Sequence, residues 1–570
     1  MTVTRRLGAL AVTTAAALAL SGTAAIAAPD SHQPRPVSIR LIGMNDFHGN
    51  LEPPAGSSGK VTLSDGTSVL AGGAAYLATH VKQLRAQAPN SLLFSAGDNV
   101  GASPLASALF HDEPTIDFFN QIGVRASAVG NHELDKGYQE LVRKQFGGCS
   151  PVDGCQFEKT FPGAKWPYLA ANMTFDNGLP AALPFTVDFS GGVPVGVIGV
   201  PLKDLPLVTS AEAIKGLKFG DEVQAINRSA DLLDRLGVKS IVVLLHQGDS
   251  TEGGGPNDCR ETPGAALAIA QQASPKVDVI FSGHSHQQYN CVVKDPAGNP
   301  RPLIQGASFG RLLSVVDIKV DPRTRDVIRA QTVAHNEIVT RDVVPDPAAK
   351  ALVDSAVAKA APIANKAVGT VTSDVVAAQN AAGESALGDV IGDAQLDATK
   401  SAGAQVALMN PGGIRADLVF KSTTAGVPDG TVTYANAFTV QPFANILQTA
   451  TLTGAQLKAV LEQQWQPQPN GTVQVKMLQV SSSLHYTWSA SAPVGSKVSA
   501  ITVAGQPVQP DATYKVTANN FLTGGGDGFS VLKSGTNTVG GAIDLDAFTG
   551  YLTAHQNLAP PAADRITRVS

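Results

Sequence analysis

Ile39-Arg40-Leu41-Ile42-Gly43-Met44-Asn45-Asp46-Phe47-His48-Gly49 is an apolar run that ends in a carboxylate, an imidazole and a glycine. The same grammar recurs further along. Leu92-Leu93-Phe94-Ser95-Ala96 runs into Gly97-Asp98-Asn99, and Ala126-Ser127-Ala128-Val129 into Gly130-Asn131-His132-Glu133. Ile241-Val242-Val243-Leu244-Leu245 meets His246-Gln247-Gly248, and Val277-Asp278-Val279-Ile280-Phe281 is followed by Gly283-His284-Ser285-His286. Short apolar runs rich in β-branched residues and bounded by glycine predict strands buried on both faces of an α/β sheet. In such sheets ligands collect beyond the carboxyl ends of the strands. The reading therefore expects Asp46, His48, Asp98, Asn131, His246, His284 and His286 on one rim, with Gly49, Gly97, Gly130, Gly248 and Gly283 allowing tight exits.

Alone, each motif has an ordinary explanation. Asp-Phe-His and Gly-Asp-Asn are turn sequences, and Asn131 with Glu133 suits a helix start. Together they form a donor set for divalent ions. Carboxylate, amide oxygen and imidazole suit Zn, Mn, Fe, Co or Ni, and the absence of thiolate from the set argues against a structural zinc site. Two neighbouring cations repel, which makes a bridging carboxylate natural, and Asp98 is the candidate. Such a pair activates water and clamps the oxygens of a phosphoryl displacement, so phosphate esters are the expected substrates.

The chain has 570 residues, 16% of them charged, and a formal net charge of -5. That balance offers no surface for nucleic acid, and the length accommodates two or three domains. Residues 1–28 read as a secretory signal: Arg5-Arg6, an Ala-rich apolar core from Leu7 to Leu20, then Ala25-Ile26-Ala27. The core is short for a membrane span and no other long apolar run follows, so the expected location is outside the cytoplasm: extracellular, periplasmic or in the cell wall. The four Cys suit an oxidising compartment. Three pairings are possible. The favoured one joins Cys149 to Cys155 around a small loop and Cys259 to Cys291 across two histidine-bearing segments; a four-thiolate zinc site is the alternative.

A boundary falls at 341–365. Val343-Val344-Pro345-Asp346-Pro347 breaks the pattern, and Ala348 to Ala361 predicts an Ala-rich helix that Pro362 ends or kinks. This stretch reads equally as a connector or as the first helix of a second domain. Beyond it, helices are expected at 384–400 and 453–465, with strands at 403–409, 431–433, 446–453, 498–503 and 513–518. Met409-Asn410-Pro411-Gly412-Gly413-Ile414-Arg415, Gln441-Pro442-Phe443-Ala444-Asn445 and Phe521-Leu522-Thr523-Gly524-Gly525-Gly526-Asp527-Gly528-Phe529 are loops able to present backbone N–H groups, aromatics and charge.

Taken in this order, the motifs resemble the calcineurin-like metallophosphatases and, more narrowly, the secreted 5′-nucleotidase/UDP-sugar hydrolase family. The likeness runs over roughly 37–555. It implies an α/β fold with a four-layer αββα metallophosphatase domain at 37–340, a connector at 341–365 and an α/β nucleotide-recognition domain at 366–558. It also implies two divalent ions (Zn, Mn, Co or Mg). One would be held by Asp46, His48, Asp98 and His286, the other by Asp98, Asn131, His246 and His284; some members carry Gln where this chain has His286. His132 and Asp135 match the family's catalytic dyad. Asn410 and Arg415 match substrate-binding positions, Phe443 and Phe521 would stack on a base, and Asp527 would contact ribose. One departure concerns Ala382-Gly383-Glu384-Ser385-Ala386-Leu387-Gly388-Asp389, where members often carry a further phosphate-binding Arg just before the Glu.

The expected activity is hydrolysis of nucleoside 5′-monophosphates, with a small-molecule nucleotide as partner. The alternatives are UDP-sugars, nucleoside di- or triphosphates or 2′,3′-cyclic nucleotides at the same site, or, from another class, a non-catalytic nucleoside-binding protein.

Overall fold

The apolar runs form strands, and the strands form two sheets that face each other. The computed structural model describes residues 35–209, 213–251, 253–259, 263–468 and 472–570. The expected signal segment, 1–28, lies outside the described residues. The first sheet has the order Val333–Ile338, Leu312–Val320, Val37–Met44, Ser91–Ser95, Ala126–Ala128, Tyr168–Leu169. Val37–Met44 runs antiparallel to Leu312–Val320 and parallel to Ser91–Ser95, which continues parallel into Ala126–Ala128. The second sheet has the order Gln288–Lys294, Pro300–Gly306, Val279–Ser282, Ser240–His246, Val193–Pro201, Phe185–Ser190, with a parallel centre.

Alternation along each strand supplies both of its neighbours. Ile39 and Leu41 turn inward against Val242, Leu244, Val279 and Phe281 of the other sheet. Ile42 and Met44 turn outward onto the helices Ala74–Gln87, Glu113–Ile122 and Pro347–Ala364. Val243, Leu245 and Ile280 face the helices Glu222–Arg235 and Ala265–Gln272 on the opposite outer side. Helix, sheet, sheet, helix is the four-layer αββα arrangement. Gly43 is a point of contact between the sheets: a Cβ there would lie 2.3 Å from the Phe281 ring.

The helix Pro347–Ala364 begins at Asp346, whose carboxylate accepts from Ala349 N, and carries Pro362 inside its last turn. Its Ala349, Val353, Ala356 and Ala360 are buried with the first domain's outer core. The second region is built on a five-stranded sheet in the order Gln479–Val480, Val406–Met409, Thr513–Asn519, Ile446–Thr453, Thr536–Ile543. The helices Ala386–Ala398 and Asp544–Ala554 share one core beside it, and Gly454–Glu462 belongs to another. A four-stranded sheet ends on Ile566–Val569, parallel to Leu484–Ser489. No described helix is long and apolar enough to cross a membrane. Both disulfides of the favoured pairing, Cys149–Cys155 and Cys259–Cys291, are formed.

Candidate active site

The carboxyl ends of five strands, drawn from both facing sheets, deliver the donors to one place. Asp46 and His48 follow Val37–Met44, Asp98 follows Ser91–Ser95, Asn131 follows Ala126–Ala128, His246 closes Ser240–His246, and His284 and His286 follow Val279–Ser282. Asp46, His48 and His246 are fully buried at 0% exposure. Three groups of side chains each bring ligand atoms within 4.8 Å of one another: Asp46, His48 and His286; His48, Asp98 and His132; Asp98, His246 and His284. Asn131 joins the last group, its Oδ1 lying 3.1 Å from His246 Nε2 and 3.0 Å from His284 Nδ1.

The donor orientation fits divalent cations. His48 Nδ1 lies 2.8 Å from the Gly101 carbonyl, and His246 Nδ1 lies 2.8 Å from that of Ala96. A ring nitrogen that donates to a carbonyl leaves the other with a lone pair, the arrangement metal-binding histidines adopt. Those Nε2 atoms point at other members of the donor set: His48 Nε2 is 3.1 Å from His286 Nε2, and His246 Nε2 is 3.1 Å from Asp98 Oδ2. At such distances these atoms need a cation between them, a proton or a metal ion, and the cluster of nitrogen and oxygen donors can hold either. The nitrogen and oxygen donors, without thiolate, suit Zn, Mn, Co or Mg.

Backbone geometry carries the same message. Asp46 (φ 48), His48 (φ 47), Asp98 (φ 51), His284 (φ 70) and His286 (φ 58) are all left-handed without being glycine. Such residues cost on the order of 1–3 kcal/mol each and gather at functional sites. Gly130 is required by close approach: a Cβ there would lie 2.1 Å from Asp98 Oδ1.

Burial governs the charges. It lowers the pKa of His284 to about 3, aided by the His246 charge, and also holds His286 and His48 well below the usual imidazole range. Burial works against charge on His246 too, but the adjacent Asp98 carboxylate wins and raises it to about 9. Asp46 is raised to about 7 by burial. His132 Nδ1 is 2.8 Å from Asp135 Oδ2, and its backbone N–H donates to Asp98 Oδ1 at 2.9 Å. Burial opposes protonation of His132, but Asp135 and Asp98 outweigh it and raise its pKa above the ordinary value.

A cavity of about 1850 Å³ opens from this rim and is lined by both regions of the chain, including Asn410, Arg415, Phe443, Phe521 and Asp527. Asn410 Nδ2 donates to Asp527 Oδ2 at 2.8 Å. Arg415 donates from Nη1 to the Gly412 carbonyl, while its Nη2 is buried without a hydrogen-bond partner. The Phe443 ring lies on His132, with centroids 5.6 Å apart and planes 22° from parallel, and beneath the Arg415 guanidinium at 5.8 Å. Phe443 and Phe521 thus share the cavity, with Phe443 resting against His132. At Gly383, just before Glu384 in the departing stretch, φ is 89° and a Cβ would lie 2.5 Å from Met477 Cγ, so a side chain there would be strained and would displace Met477.

Supporting residues escaped the sequence reading. Glu133, the buried last residue of its motif, accepts backbone N–H bonds from Asp98, Asn99 and Gly130 at 2.9, 2.8 and 2.7 Å, tying the Asp98 and Asn131 loops together. Asn45 Nδ2 donates to Asp46 Oδ2 at 2.7 Å. Phe309, left-handed at φ 60, sets its ring against His48 and His286. Glu133 and Asn45 adjoin recognised motifs, which was the available signal; Phe309 had none.

Residues 39–288 match the calcineurin-like phosphoesterase family, and residues 363–534 match the family described as 5′-nucleotidase, C-terminal domain. Over 533 residues the chain is 32% identical to Endonuclease YhcR of Bacillus subtilis, covering 92% of this chain and 40% of that longer protein. A cell wall protein of Listeria monocytogenes is 32% identical over 93% of this chain and 68% of its own length. The 5′-nucleotidase of Bos taurus is 26% identical over 93% of this chain and 91% of its own. The crystal structure of a 5′-nucleotidase precursor from Thermus thermophilus superimposes with a TM-score of 0.76 at 27% identity, covering 94% of this chain and 99% of that one. Fold, rim and relatives agree: the chain belongs to the 5′-nucleotidase family of calcineurin-like metallophosphatases, which are metal-dependent phosphoester hydrolases.

Proposed function

We propose that the protein is an exported enzyme that hydrolyses nucleoside 5′-monophosphates to nucleoside and phosphate with two divalent ions. The observation that carries this reading is the shared cavity, where the clustered carboxylates and buried histidines, the His132–Asp135 pair and the unpaired Arg415 nitrogen all meet. In the proposed assignment Asp46, His48, Asp98 and His286 hold one ion, and Asp98, Asn131, His246 and His284 the other. Bound ions of this kind make hydroxide available at neutral pH and offset phosphoryl charge. The chain's own groups do the rest. Arg415 binds phosphate oxygens, and its guanidinium geometry suits that task. His132, oriented by Asp135, gives a proton to the departing ribose oxygen. Asn410 and Asp527 hold the sugar, and Phe443 and Phe521 bind the base. We further assign 37–340 to the metal-bearing domain, 341–365 to the connector and 366–558 to substrate recognition.

The test compares hydrolysis of AMP, UDP-glucose and a 2′,3′-cyclic nucleotide by metal-reconstituted protein, with loss of substrate and the products formed followed by chromatography. The reading predicts AMP as the best of the three. Dominance of either of the other two would overturn it.

A further inference from the structure

Asn519 ends the strand Thr513–Asn519, which runs parallel to Val406–Met409 with Ala518 opposite Leu408. The neighbouring strand ends put Asn519 beside Asn410, and both side chains are buried. A buried amide costs free energy unless its hydrogen bonds are made, so the destination of each bond is informative. Asn519 Oδ1 accepts the Leu522 backbone N–H at 2.8 Å and so caps the short helix Asn520–Thr523, which carries Phe521. Asn519 Nδ2 donates to Asn410 Oδ1 at 3.1 Å, and Asn410 Nδ2 donates to Asp527 Oδ2 at 2.8 Å. The other Asp527 oxygen accepts from the Lys476 ammonium at 2.9 Å.

The two ends of this relay cannot exchange roles. A backbone N–H can only donate, and a carboxylate paired with an ammonium can only accept. Each amide between them has one oxygen and one nitrogen, so a single arrangement satisfies both ends. The Leu522 N–H orients Asn519, Asn519 orients Asn410, and Asn410 turns its N–H groups to Asp527. With Asn410 reversed, two oxygens would face each other at 2.8 Å with no proton between them. One Asn410 Nδ2 proton goes to Asp527, and the second is left for the cavity that both residues line. Asp527 is held by these partners more than by its backbone. It is left-handed at φ 54 and stands among Gly525, Gly526 and Gly528, which add no stiffness to the loop.

We propose that Asn519 is a positioning residue for the nucleoside end of the substrate: it fixes the face that Asn410 turns to the cavity and, through Asn410, the place of the Asp527 carboxylate. This rests on the nucleotide-hydrolase reading above. The same Asn519 oxygen that orients the relay also holds the first turn of the helix bearing Phe521, so sugar and base contacts are set by one side chain. The bonds of the relay run from Leu522 to Lys476, apart from the carboxylates and imidazoles of the rim. Its loss therefore weakens the grip on the nucleoside and leaves the phosphate end as it was.

The experiment measures KM for AMP, Ki for adenosine and Ki for inorganic phosphate in the metal-reconstituted full chain, in Asn519→Asp and in Asn519→Ser. Aspartate and serine each keep an oxygen able to cap the Leu522 N–H. Aspartate has no proton to give Asn410, and serine is too short to reach it. Loss of the orienting bond predicts that both variants raise KM for AMP and Ki for adenosine about tenfold. The Ki for phosphate and the metal content should stay within about twofold, and kcat should change less than KM. A parallel rise in all three constants would make Asn519 a general structural residue and overturn the proposal. So would wild-type values for AMP and adenosine in a folded variant, or unfolding of both variants in thermal melts. If Asn519→Asp alone fails to fold, Asn519→Ser decides. A wild type that hydrolyses other phosphate esters but not AMP would overturn the functional reading itself, and this inference with it.

Discussion

His132 lies close enough to His48 and Asp98 to share a metal-ligating group with them, yet its Nδ1 is committed to Asp135. The two roles separate on substitution. If His132 moves a proton, His132→Ala keeps the full metal content and loses turnover by about a hundred- to ten-thousandfold. If it is a ligand, metal is lost in step with activity, which atomic absorption on the purified variant would reveal. Glu133 is bound to the ligand loops through three backbone N–H groups. Glu133→Gln turns amide protons toward those donors and is expected to weaken metal affinity by about 10- to 100-fold, the usual effect of disturbing ligand support. Metal titration of the apoprotein measures it, and an unchanged affinity would remove the assignment. The donors themselves were legible because Asp and His at the ends of buried runs are chemically conspicuous. Glu133 was visible in its motif, and the short helical turn His132–Leu134 is there, but a helix start gives no sign of the hydrogen bonds from Glu133 to the Asp98 loop. Lys476 was not legible: in Val473-Gln474-Val475-Lys476-Met477 it has the look of the outer face of a strand.

Among the elements, strands were legible where burial on both faces leaves no polar alternation. Ser240–His246 is buried along its whole length and stands almost where Ile241 to Leu245 place it. The recognition region was read nearly as well, with Ile446–Thr453 and Val498–Val503 at the expected positions. The pairing order was not legible, because Val406–Met409 finds Thr513–Asn519 only through contacts distant in sequence. The same distance hid a charge cluster. Asp389, inside the helix Ala386–Ala398, has both carboxylate oxygens buried without hydrogen-bond partners, and the nearest Arg565 nitrogen is 3.6 Å away. Burial, opposed by Arg565 and reinforced by Glu384, raises its pKa from 3.8 to about 8. A carboxyl that binds its proton more tightly when folded makes stability fall as pH rises between those two values. Asp389→Asn keeps the shape and removes the ionisation. It should flatten the decline in Tm over that window and raise Tm on its alkaline side, as thermal melts across the range would record. Parallel pH profiles for variant and wild type would contradict this.

On the scale of the whole molecule, the work is divided. The facing sheets bring strand ends together and hold Asp46, His48, Asp98, His284 and His286 in left-handed backbone, while the second region supplies Asn410, Arg415, Phe443, Phe521 and Asp527 to the same cavity. The stacking of Phe443 on His132 shows how near the loops of the second region stand to the His132–Asp135 pair. The most direct test of the account counts metal in the purified full chain and follows AMP hydrolysis before EDTA treatment, after it, and after return of Mn, Zn, Co or Mg. The account predicts about two ions per chain, loss of activity with the metal, and recovery when it is returned. Undiminished hydrolysis by metal-free protein would contradict it.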